Sequence, residues 1–195
     1  MPSIQGFQPV ASQESTILIL GSMPGARSLS ARQYYAHPHN AFWPILGALL
    51  GFDAAAPYTA RLAALQSAGI ALWDVLQACT REGSLDSGIL RDTEVANDFV
   101  TFFDACPRIT HVLFNGAMAE TCFKRHVLNA LALRSFHYYR LPSTSPANAA
   151  MSVTDKYKAW QKIIAPLVRL GIGERELTND RQVTKMAPLS VVCRS

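Results

Sequence analysis

Four stretches of this chain carry side chains whose types and spacing could do chemistry. The densest is Tyr34-Tyr35-Ala36-His37-Pro38-His39-Asn40-Ala41-Phe42-Trp43-Pro44, where rings, imidazoles and an amide sit between prolines. A ring can stack on a planar ligand and an amide can orient a polar group, a combination used by proteins that read unpaired bases. The bland alternative is a loop whose rings merely cover the core. His37 and His39 could ligate zinc, but no third and fourth ligand stands nearby, so no metal is expected.

The second stretch is Gly21-Ser22-Met23-Pro24-Gly25, placed after an apolar run. Glycines there let backbone approach a ligand and present amide N–H groups to it. Ser22 is one position off the centre of a nucleophile elbow, and the lysine of a phosphate-binding loop is missing. In the third, Ala71-Leu72-Trp73-Asp74-Val75, one carboxylate interrupts an apolar strand. Asp74 either caps or pairs structurally, or it recognises a ligand; the spacing leaves both open. The fourth, Arg140-Leu141-Pro142-Ser143-Thr144-Ser145-Pro146-Ala147-Asn148, offers short hydroxyls and backbone N–H groups in a proline-fixed loop. Such a loop suits phosphate oxygens.

Elements must hold these stretches in place. Apolar runs at Ile17 to Leu20, Ile70 to Val75 and Val112 to Phe114 read as strands buried on both faces, with Phe136 to Arg140 a fourth. Helical spacing is read over Thr93 to Cys106 and over Ala117 to Leu133. A helix opening at Ser152, with Asp155 completing a capping box, buries Trp160, Ile163, Ile164 and Leu167. This alternation predicts an α/β fold, a three-layer α/β/α sandwich around a central, mainly parallel sheet. Ligands then bind beyond the carboxyl ends of the strands, where all four stretches fall. Beyond Gly171 no period persists, and 171–195 reads as a mobile tail or an added flap.

Composition sets the outer bounds. With 195 residues, 49% hydrophobic and 16% charged, the chain can build a core and is not disordered in character. No apolar run is long enough to span a bilayer, and Met1 to Val10 does not read as a signal peptide. A soluble, cytoplasmic protein without membrane contact is expected. The four cysteines form no CxxC pair, so buried reduced thiols are expected rather than a zinc or redox motif. A formal charge of +4 is compatible with a polyanionic partner without establishing one.

Taken in order, Gly-Ser-Met-Pro-Gly, Tyr-Tyr-x-His-Pro-x-Asn-x-Phe-Trp, Leu-Trp-Asp-Val and Leu-Pro-Ser-Thr-Ser-Pro-Ala resemble the uracil-DNA glycosylase superfamily, and within it the hypoxanthine-DNA glycosylase branch. The resemblance spans about Ile17 to Leu167, and places a glycosylase domain at 1–170. It implies excision of hypoxanthine, or of uracil, from double- or single-stranded DNA by a monomer without a cofactor. By position, Asn40 matches the catalytic amide. Gly21, Ser22, Met23, Phe42 and Asp74 match the base pocket, with Phe42 as stacking ring and Asp74 reading the base edge. Ser143, Thr144, Ser145, Pro146 and Ala147 match the loop that enters the DNA minor groove. Other branches carry Asp or Asn where this chain has Met23, which cannot activate water. The four motifs hold no lysine, so a Schiff-base lyase step is not expected. Two other classes remain open on the residues alone: a non-catalytic single-strand binder and a nucleoside hydrolase.

Overall fold

The computed structural model describes residues 3–168. Its centre is a four-stranded parallel sheet in the order β3-β2-β6-β7, formed by β2 (Ile17–Gly21), β3 (Ile70–Asp74), β6 (His111–Asn115) and β7 (His137–Leu141). In register, Ile17 faces Ile70 on one side and His111 on the other, which brings Gly21 beside Asp74. The remaining strands, β1 (Ser3–Gln5), β4 (Leu76–Arg81) and β5 (Ile89–Ala96), make a separate antiparallel sheet.

Alternation along β2 assigns the two layers. Leu18 and Leu20 point into a cluster with Phe99, Phe103 and Phe123 from α4 (Phe99–Ala105) and α5 (Ala117–His126). Ile17 and Ile19 point the other way, onto α2 (Phe42–Leu50), α3 (Tyr58–Ser67) and α6 (153–168). Helices on both faces of a parallel sheet make the α/β/α sandwich that the apolar runs predict. The sixth helix opens as expected, with Ser152 Oγ accepting from Asp155 N at 3.1 Å, and Trp160 and Ile164 are fully buried. A short helix, α1 (Ala26–Ala31), follows the first glycine turn.

Two elements differ from the sequence reading. The helix expected over Thr93 to Cys106 begins only at Phe99, capped by Asp98 Oδ1 accepting from Thr101 N. Thr93 and Val95 belong to β5 instead, where β-branched side chains fit the pleat. Helix α5 stops at His126, and a 3₁₀ turn at Leu128–Leu131 replaces its expected last turns. Cys79, Cys106 and Cys122 are free and buried, as expected. The tail assigned to 171–195 lies outside the described residues. Among those residues no helix is long and apolar enough to cross a membrane.

Candidate active site

The carboxyl ends of β2, β3, β6 and β7 open into one cavity of about 610 Å³. Gly21, Asp74 and Asn115 are the last residues of β2, β3 and β6, and all three line it. The first glycine turn is held from below. Val75 N donates to Gly21 O and Leu76 N to Ser22 O, while Arg81 Nη2 donates to Pro24 O at 2.7 Å. Met23 is buried, with its thioether against the core.

The aromatic stretch forms the wall between α1 and α2. Tyr34 is tied down on three sides: its hydroxyl donates to Gln8 O, its N–H to Tyr58 Oη, and Trp43 Nε1 donates to its carbonyl. Asn40 Oδ1 accepts from Phe42 N at 3.0 Å, which fixes the amide plane. That bond leaves a second lone pair on Oδ1 and both Nδ2 protons for the cavity, which Asn40 lines.

Phe42 departs from its expected place. It is 0% exposed, sealed between Trp43, Trp160 and Tyr35, and does not line the cavity. Tyr35 does. Its ring lies flat on Phe42, centroids 3.9 Å apart at 19°, so Phe42 backs the ring that lines the cavity. Tyr35 holds a positive φ of 53°, a conformation uncommon for a bulky residue. Sequence spacing could not say which of these neighbouring rings faces outward.

The Pro-Ser-Thr-Ser-Pro loop is clamped from behind. Asn115 makes a pair of hydrogen bonds with Thr144, donating from Nδ2 to Oγ1 and accepting at Oδ1 from the Thr144 N–H, both at 2.9 Å. Thr144 is therefore fully buried and serves as an anchor, while Pro146 and Ala147 stand exposed at the tip. Trp160 Nε1 donates to Pro142 O, and buried Lys156 donates to Ser145 O. Gly116, at φ 103°, allows the close approach, since a Cβ there would lie 2.9 Å from Ser143 Cβ. Asn115 and Lys156 were not singled out in the sequence. Asn115 carries the same signal as Asp74, a polar residue ending an apolar strand.

Residues 8–167 match the model of the uracil DNA glycosylase superfamily. The chain belongs to this superfamily. A hypoxanthine DNA glycosylase from Methanosarcina acetivorans is 35% identical over 162 residues, 82% of this chain and 96% of the relative. Another from Methanosarcina barkeri is 47% identical over 113 residues, 57% of this chain and 70% of the relative. The solution structure of a Methanosarcina acetivorans protein assigned as a uracil DNA glycosylase superposes with a TM-score of 0.72, at 32% identity, covering 85% of this chain and 99% of that one.

The electrostatics of this superfamily pocket centre on Asp74. It is 3% exposed, its Oδ2 has no hydrogen-bond partner, and it makes no ion pair among the described residues. Burial raises its pKa to about 7, the charge of Asp86 adds to the shift, and Arg81 opposes it. Asp86 reaches in from the β4–β5 loop and accepts from Ser22 Oγ at 2.8 Å; burial raises its pKa also. No cluster of metal-ligating residues occurs among the described residues.

A stability test follows from the sign of that shift. The folded state binds the Asp74 proton more tightly than the unfolded chain, so ionising Asp74 costs stability as pH climbs from about 4 to about 7. Asp74→Asn never meets this cost. It is expected to raise Tm by several degrees at pH 8, with the gain vanishing near pH 4. Equal Tm differences at both pH values would count against a buried, perturbed acid.

Proposed function

We propose that this chain is a monofunctional DNA glycosylase that flips a deaminated base, hypoxanthine or uracil, out of DNA and hydrolyses its N-glycosidic bond. The observation that carries this reading is the meeting, in one cavity, of Tyr35, Asp74, Asn40 and the clamped 143–147 loop. The names of the Methanosarcina relatives point to hypoxanthine as the preferred base.

Flipping costs a few kcal/mol and is cheapest for a mismatched base, which supplies part of the selectivity. The extruded ring stacks on Tyr35 and turns its polar edge to Asp74. Backbone of Gly21, Ser22 and Met23 closes the pocket floor. As the C1′–N bond breaks, its electron pair leaves with the base and positive charge spreads over the sugar. A water held by the free lone pair of Asn40 Oδ1 bonds to C1′ and then gives up a proton to solvent. Asn40 is no base; it acts by placing the water in line. The departing base anion takes its proton from water. Ser143, Ser145, Pro146 and Ala147 lie along the backbone and minor groove of the DNA, with Thr144 anchoring them. The reaction draws on no cofactor, and a monomer suffices.

Single-turnover assays on duplexes bearing inosine, uracil, xanthine or ethenoadenine test the reading. Excision of inosine or uracil sites with free inosine left intact is the expected result. Binding without excision of any base would leave a nucleic-acid-binding module instead.

Two further outcomes separate roles within the site. Tyr35→Ala should weaken the productive complex by roughly 1–3 kcal/mol, the usual worth of stacking, with little loss of Tm. Phe42→Ala should act mainly through stability, at roughly 3–5 kcal/mol for an emptied aromatic core site. A reversed pattern would return the stacking role to Phe42. DNA affinity should also fall with salt as phosphates are neutralised. Lys124, Arg125 and Arg140 pair with Glu120 or Glu94, whereas Arg27 lines the cavity with no ion pair among the described residues. Arg27→Ala should therefore flatten the log–log salt slope by about one, and Lys124→Ala should leave it steep.

A further inference from the structure

Asp86 has no place in the reaction as described so far, yet it is built into the pocket. It lines the same cavity as Asp74, and the connection between them is short. Asp74 lies in register with Gly21, and Ser22, the next residue, donates to Asp86. Arg81 is the cation whose charge opposes both shifts. It spends Nη2 on Pro24 O and Nε on Gly83 O, leaves Nη1 buried without a hydrogen bond, and makes no ion pair with either carboxyl among the described residues. The other titratable groups acting on Asp74 are Tyr34, Tyr35 and Tyr58, all neutral phenols whose pKa values are raised by burial, and Arg27 and His37 line the same cavity. Two carboxyls thus line one cavity, and neither makes an ion pair among the described residues.

Such a pair resists holding two negative charges. The chemistry of the leaving group points the same way. Negative charge grows on the base as its bond to the sugar breaks, so a fixed anion against its edge would oppose the reaction. A donor there would assist it.

We propose that Asp74 and Asp86 do not ionise together at neutral pH and that Asp86 carries the charge, so that Asp74 meets the extruded base as a neutral acid, donating its O–H to a ring carbonyl while its C=O accepts from the adjacent ring N–H. This deepens the glycosylase reading and rests on it. Hypoxanthine presents the required carbonyl and N–H side by side, and so does uracil. Asp86 is a positioning residue: it touches no base, and it keeps the proton on its neighbour. A carboxylic acid kept neutral near pH 7 to donate a hydrogen bond is a known device of low-dielectric sites.

The test is the pH dependence of single-turnover excision from an inosine duplex, for the full chain and two variants. Wild-type rates should fall as pH rises through about 7, the pKa to which Asp74 is raised. In Asp86→Asn, which keeps an oxygen for Ser22, the fall should begin at least about one pH unit lower, because the like charge is gone. Asp74→Asn retains a donor and an acceptor but does not titrate. It should be about tenfold slower than wild type at pH 6, independent of pH up to about pH 8, and level with wild type there, below the range in which the ring N–H of hypoxanthine itself ionises. A profile for Asp86→Asn that overlies wild type, or a fall between pH 6 and about pH 8 that survives in Asp74→Asn, overturns the pair. A second readout needs no activity: carbon-13 NMR of aspartate carboxyls, with the Asp74 signal identified by its loss in Asp74→Asn. Asp74 should titrate near neutrality and move down in Asp86→Asn. Titration in the ordinary carboxylate range overturns the proposal. If no base is excised at any pH, the glycosylase reading fails, and this titration still decides whether the pair exists.

Discussion

Asn40→Ala is expected to lower single-turnover excision of hypoxanthine by at least about a hundredfold, the cost of losing one preorganised polar group in an active site. The geometry makes this a clean substitution. Asn40 is half-buried on a loop, and its one side-chain hydrogen bond among the described residues runs from Phe42 N to Oδ1. Losing that bond costs about 1 kcal/mol of stability, too little to unfold the chain. Duplex binding should persist, because the 143–147 loop, the proposed DNA contact, is clamped by Asn115, Trp160 and Lys156 rather than by Asn40. The backbone bond from Ala41 N to Thr144 O, which joins the two loops, is untouched by the change. The loss should therefore fall on the chemical step and not on DNA affinity. Near-wild-type excision by Asn40→Ala would remove the water-holding role and leave Asp74 as the group to examine next.

How much of this was legible in the sequence depends on what each residue packs against. Ile17 to Leu20, Ile70 to Trp73 and Val112 to Phe114 are buried on both faces, so each shows as an unbroken apolar run. Asp74 was visible because a carboxylate has no cheap reason to end such a run. The 42–50 helix was invisible for the opposite reason: Phe-Trp-Pro-Ile-Leu-Gly-Ala-Leu-Leu is apolar nearly throughout and shows no helical period, and Pro44 sits in its first turn. The antiparallel sheet escaped because Val95, Phe99, Phe102 and Phe103 recur at helical spacing across the junction of β5 and α4. Within the site, Tyr35 and Phe42 stack on each other, and nothing in their spacing says which ring is outermost. Asp86 sits in Ser84-Leu85-Asp86-Ser87-Gly88, which reads as a plain solvent turn. Only the fold reveals that it bonds to Ser22, 64 positions earlier.

Gly21→Ala is the sharpest test of the pocket, because of the two glycines in the Gly21–Gly25 turn Gly21 is the one with no room for a side chain. A Cβ at Gly21 would lie 2.2 Å from Asp74 Oδ1 and 3.1 Å from Tyr35 Oη. The backbone cannot retreat. Gly21 is paired in register with Asp74, and Val75 N donates to its carbonyl at 2.9 Å. The Asp74 carboxyl must therefore swing away, and the open space available to it is the cavity that the base would fill. Overpacking of this kind costs roughly 1–3 kcal/mol, so the protein should still fold. Excision should nevertheless fall by about a hundredfold or more, since one methyl displaces Asp74, the proposed base reader, and presses on Tyr35, the proposed stacking ring. At Gly25 nothing lies within 4 Å of the added Cβ and φ is −70°, so Gly25→Ala should leave excision and Tm close to wild type. Combining Gly21→Ala with Asp74→Ala should recover Tm beyond the sum of the single changes, because the clash is between these two side chains. Full excision by Gly21→Ala would mean that Asp74 and Tyr35 do not shape the base pocket.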